Sequence, residues 1–133
     1  MIHSNNPAYK DNIILKLSFE FSLEAIEFCE ILHRSDKRVV ANQLIRSATS
    51  IGANVREAQN AESTADFIHK LKLALKELNE TEYWLLLCKE APSYPSPTAL
   101  LEKVEPIWKV LNKIVASTVK NQKLNRSIGS SKV

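Results

Sequence analysis

Glycine is nearly absent, with two residues in 133. Hairpins and tight turns need residues that accept positive φ, so this scarcity argues against a sheet protein and leaves no glycine-rich phosphate cradle. Cysteine is as scarce: Cys29 and Cys88 are the two present, too few for a disulfide or metal framework. Both stand in apolar helical surroundings, where a free thiol behaves as a small core hydrophobe. No apolar run approaches the roughly 20 residues that cross a bilayer. The opening MIHSNNPAYKDN has no basic stretch leading into an apolar one, as a secretory signal has. The expectation is a cytoplasmic protein with no membrane partner. Acidic residues also run out: after Glu105 there is none, while Lys109, Lys113, Lys120, Lys123, Arg126 and Lys132 follow.

What is present is an ordinary globular composition, 44% hydrophobic and 25% charged, in runs rich in Ala, Leu, Glu and Lys. This suits one all-α domain over residues 1–133. The first helix is expected over about residues 10–34. Lys16, Glu20, Glu24, Glu27 and Glu30 keep one stripe wet there, while Leu17, Phe21, Ala25, Phe28 and Leu32 face inward. Ile13, Leu15, Phe19, Leu23 and Ile26 widen the apolar surface beyond one stripe and suggest a second packing surface, such as a subunit contact.

After the break Ser35-Asp36-Lys37, a second helix is expected over about 37–60 and a third over about 64–90. Ser63 would cap the third, with Asp66 reaching back to complete a variant capping box. On that helix Phe67, Leu71, Ala74, Leu78, Leu85 and Cys88 share one face, and the proline-rich loop Ala91–Pro97 ends it. Ser96 as cap and Pro97 at the first helical position open a fourth helix over about 97–122. Pro106 either kinks that helix or marks the end of a separate turn. Residues 127–133 read as a flexible tail. Four amphipathic segments with short connections pack most economically as an up-down-up-down antiparallel four-helix bundle.

Chemical motifs are sparse. Glu30-Ile-Leu-His33 and Asp66-Phe-Ile-His69 have the spacing used in di-iron bundles. In an antiparallel bundle, however, they fall at opposite ends, roughly 35–40 Å apart. His3 belongs to the N-terminal stretch. No Ser or Cys nucleophile carries a signature for a partner base, so no catalytic residue, metal, cofactor or small-molecule substrate is expected. The basic half of the fourth helix, with Arg34, Lys37 and Arg38, has the residue types that contact phosphates. The same cations also suit a helix C-terminus and a solvated surface.

One stretch of the second helix, RSATSIGANVREA (residues 46–58), is unusually polar and small for a helix. Gln43, Arg46 or Ser47, Ser50, Asn54 and Glu57 recur at spacings of three and four, forming one continuous face. Ser47, Ser50, Gly52 and Ala53 let a neighbouring backbone come close. Folding the second helix back on the third near residues 62 and 63 sets position 46 level with 80, and 57 near 68. A semi-buried Arg46–Glu80 pair is therefore expected, with Glu77 one turn away and Asn54 and Glu57 satisfying groups along the same seam.

The runs QLIRSATSIGANVREAQ and ADFIHKLKLALKELNETEYWL also resemble a known family. It comprises the four helix bundle proteins encoded within intervening sequences of bacterial 23S ribosomal RNA genes, sometimes labelled ribosomal proteins. The resemblance covers roughly residues 12–87. It implies a cytosolic bacterial protein and a homo-oligomer, since members are similar to the five-fold accessory proteins of diversity-generating retroelements, which bind nucleic acid. This chain, at a formal +3, is less basic than those accessory proteins. The resemblance implies no catalytic residue. Two roles follow as expectations: an oligomer associated with ribosomal RNA or other nucleic acid, or an oligomeric adaptor for protein partners.

Overall fold

A computed structural model describes residues 12–131, with side chains as far as Ile128. Four helices follow one another: α1 (Ile13–Arg34), α2 (Arg38–Ala58), α3 (Thr64–Glu90) and α4 (Thr98–Ser131), with no strand among the described residues. Each packs on the next and α4 returns to α1, the weakest of the four contacts. The result is an all-α, up-down-up-down antiparallel four-helix bundle.

Local chemistry sets the helix ends. The Asn12 side chain accepts from the Leu15 amide at 3.3 Å, and its own amide donates to Gln59 at 3.1 Å, tying the start of α1 to the end of α2. At the other end of α1 the Lys37 amide donates to the Leu32 carbonyl at 2.8 Å and the Asp36 amide to His33 at 3.1 Å. This is a Schellman stop, and its left-handed residue is Asp36, at φ 59°, rather than glycine. A short polar side chain tolerates that conformation better than other L-residues do, which lets so glycine-poor a chain turn sharply.

The Ser63 hydroxyl accepts from the Asp66 amide at 3.0 Å, capping α3. The Asp66 carboxylate reaches past Ser63 to the Glu62 amide at 3.2 Å, one residue beyond a standard capping box. At the start of α4, Thr98 is the first helical residue. Pro97 stands before it, its carbonyl accepting from Leu101 at 3.0 Å, so the helix opens one residue later than expected.

The far end of α4 departs further from expectation. The helix runs to Ser131, beyond residue 122 and through 127–131, where a tail was expected; residues 132–133 lie outside the described part. Once a helix is anchored, each further residue adds a hydrogen bond for one residue ordered, and Gln122 to Arg126 contains no breaker. Pro106 lies inside this one continuous helix. Val104 and Ile107, buried on either side of it, hold both flanks to the core despite the lost amide.

Phe21, Ile14, Leu32, Leu44, Ile51, Leu71, Leu78, Leu85, Ile107 and Leu111 fill the centre. Leu15 joins the core, while Leu17 is half-buried and packs against it. Phe19 (51% exposed), Leu23 (49%) and Ile26 (40%) remain outside. Leu15 turns inward because it faces the seam with α2, where Gly52 and the small residues around it admit α1 closely. No described helix is long and apolar enough to cross a membrane.

Candidate functional site

The polar stretch of α2 is a structural seam with two sides. Towards α1, a Cβ on Gly52 would stand 3.4 Å from both the Ser18 carbonyl oxygen and the Ser22 hydroxyl, so the glycine marks a close backbone approach. Towards α3, the buried Ser47 hydroxyl accepts from Thr81 at 2.9 Å and donates to the Leu44 carbonyl at 3.3 Å. The small residues thus serve two neighbouring helices, and Ala53 stays exposed.

Arg46 bridges two carboxylates of α3, Glu80 and, at 3.3 Å, Glu77. Glu80 also accepts from the Trp84 indole at 3.4 Å. The Arg46 side chain is 49% exposed and Glu77 21%, so the bridge lies at the rim of the seam. Lower down, Lys70 pairs with Glu57 at 3.2 Å. Asn54 bonds back to the Ser50 carbonyl at 2.9 Å, and Ser50 to that of Arg46 at 2.6 Å. Those two side chains satisfy their own helix and do not cross the seam. Thr81, the buried partner of Ser47, has no distinguishing signal in the sequence beyond its helical level with position 47.

The basic residues do not form one cluster. Lys37 donates to the Ser93 hydroxyl at 3.1 Å and lies 5.1 Å from the centre of the Tyr94 ring, pinning the α1–α2 turn to the α3–α4 loop. Arg38 pairs loosely with Asp36 at 3.7 Å, and Arg34 shares this end of the bundle. From there to Lys123 the α4 axis runs about 37 Å at 1.5 Å per residue. The α1–α2 turn and the distal lysines therefore cannot contact one short ligand together.

On α4 the arrangement is tighter. At about 100° per residue, Lys109, Lys113, Lys120 and Lys123 fall within about 80° of one another, along roughly 21 Å of axis. All four are exposed. Lys109 pairs with Glu105 at 3.1 Å. Lys113, Lys120 and Lys123 form no ion pair among the described residues. Arg126 stands at the edge of this face, next to a groove. The face presents the cation type that contacts phosphates, with no set spacing required.

Glu30 and His33 close α1, while Asp66 and His69 open α3 at the other end of the bundle. Among the described residues no group of three or more His, Cys, Asp and Glu comes together as a metal site would require. His3 lies outside those residues. Cys29 and Cys88 are free and buried. Burial, with Cys88 nearby, pushes the Cys29 thiol up to about 12, and burial pushes Cys88 up to about 11. Neither is a nucleophile near neutral pH.

Comparison with known proteins places this geometry. A crystal structure of a protein of unknown function from the S23 ribosomal protein family of Bacteroides thetaiotaomicron is 40% identical to this chain, with a TM-score of 0.73. The match covers 77% of this chain and 97% of that one. No curated protein matches. The family model of the 23S rRNA-intervening sequence proteins matches residues 10–113. That range takes in the whole α2–α3 seam and ends at Lys113, before Lys120, Lys123 and Arg126. The chain belongs to the 23S rRNA-intervening sequence protein family.

Proposed function

We propose that this chain is a non-enzymatic, cytoplasmic RNA-associated protein that works as a homo-oligomer, with distal α4 supplying the phosphate contacts. The observation that carries this reading is the exposed Lys113–Lys120–Lys123 face, which has no carboxylate to neutralise it after Glu105. Phosphate contacts need cations on one face and no set spacing. Ribosomal RNA is the first candidate, from the genes that give the family its name. No cofactor or small-molecule substrate enters the reading.

A net charge of +3 gives one copy little affinity, and self-association would multiply weak contacts into avidity. The exposed band of Phe19, Leu23 and Ile26 on α1 supports such assembly, since contiguous apolar surface marks interaction sites. Resemblance to five-fold relatives makes a pentamer the expected form. The same band, with Tyr83, Leu86 and Trp108 exposed on α3 and α4, favours a second reading, an oligomeric adaptor for protein partners.

Ribosomal RNA binding by the purified protein, at low and near-physiological salt with solution mass recorded alongside, separates the two. A defined oligomer whose log affinity falls linearly with log salt supports RNA association. An intact oligomer that binds no RNA at low salt supports the adaptor.

A further inference from the structure

The inward seam of α4 does not end where its apolar residues end. Leu100, Val104, Ile107 and Leu111 are buried at spacings of three and four. Ile114 continues the row, and the same spacing then delivers Thr118, Gln122 and Asn125. Across from them α3 begins at Thr64. Thr64, Thr118, Asn121, Gln122, Asn125 and Arg126 line an open surface groove of about 440 Å³. Its walls offer three carboxamides, two hydroxyls and a guanidinium, with no carboxylate and no wholly apolar side chain.

Some carboxamides of the bundle are engaged. Asn54, Gln59 and Asn112 donate to carbonyls four residues back on their own helices, at 2.9, 3.0 and 2.9 Å. The side chains of Asn121, Gln122 and Asn125 make no hydrogen bond among the described residues, as is also true of Asn42, Gln43, Asn60 and Asn79; what sets the first three apart is that they share one groove. A carboxamide presents an acceptor beside two donors in one plane, the pattern that pairs with the edge of a nucleobase. Lys120 and Lys123 occupy the same two turns on the opposite flank of α4. Arg126 lies between the flanks, so a strand following the lysines meets the groove at Arg126.

We infer that this groove reads an unpaired base of a single-stranded RNA whose phosphates run along Lys120, Lys123 and Arg126. The inference rests on the RNA-associated reading above and adds what that RNA must offer: an unstacked base, since sequence-specific RNA recognition targets unpaired bases that can be splayed out and hydrogen-bonded on their edges. The α4 side of the groove lies beyond the family match, which ends at residue 113, while Thr64 lies within it.

The test is anisotropy of labelled oligoadenylate, oligocytidylate and oligouridylate, with a duplex control. It compares the native protein with Asn121→Ala/Asn125→Ala and Lys120→Ala/Lys123→Ala, across salt. Both pairs are exposed, and circular dichroism checks that each variant folds. The native protein should prefer one homopolymer by about tenfold, the discrimination that one good bidentate contact gives, and should bind the duplex less well. The asparagine variant should lose the preference and keep the salt slope. The lysine variant should keep the preference and bind every strand more weakly, its slope flatter by about 1. Binding without preference, a preference that survives in the asparagine variant, or tighter binding of the duplex overturns the base-reading groove and leaves phosphate contact standing. Absence of RNA binding overturns both.

Discussion

The α2–α3 seam and the distal half of α4 are both rich in polar residues, yet they differ in one respect. In the seam Arg46, Ser47, Glu57, Thr81 and Glu80 each find a partner within the protein. On distal α4, Lys113, Lys120 and Lys123 have no such partner among the described residues. Helix α2 is packed between α1 and α3, whereas Lys113, Lys120 and Lys123 lie on an exposed face of α4. Polarity therefore serves the fold where a neighbouring helix can answer it, and faces outward where none can.

Four substitutions, compared by chemical unfolding followed by circular dichroism, would sharpen or break that contrast. Gly52→Leu should have the largest effect, about 2–3 kcal/mol of destabilisation, because the first added carbon already touches the α1 backbone. Thr81→Val should cost about 1–2 kcal/mol, keeping the shape while removing the hydroxyl that meets Ser47 inside the core. Arg46→Ala should cost less, about 0.5–1 kcal/mol, with the difference shrinking in high salt, since the guanidinium is half exposed. A loss above about 3 kcal/mol would mean that the bridge behaves as a buried pair. The triple change Lys113→Ala/Lys120→Ala/Lys123→Ala should move stability by no more than about 0.5 kcal/mol. It should nevertheless weaken RNA binding and flatten its salt slope by about 2. If the triple variant unfolds as readily as Thr81→Val, distal α4 is structural and the contrast fails.

Much of the bundle was legible in the chain. Apolar spacing located all four helices, and the short α2–α3 connection set Arg46 level with Glu80, because register in an antiparallel pair follows from loop length. Three features were not. The Ser47–Thr81 contact depends on which face each helix turns inward, and no local pattern announces it. The continuation of α4 to Ser131 was hidden because serine and glycine suggest fraying, while the preceding anchored turns favour propagation. The groove at Thr64 was also missed, since its wall joins residues more than fifty positions apart, and a polar seam position looks like ordinary surface until the opposing helix start is known.

The burial of Cys29 and Cys88 has a practical consequence at the bench. With both thiols shielded and protonated near neutral pH, the native chain already serves as a cysteine-silent background for labelling. One cysteine introduced at an exposed site such as Ser117 or Leu124 would take a maleimide dye or spin label almost alone. Distances between copies, and between α4 and a bound strand, would then be measurable without first stripping the core of its own sulfur.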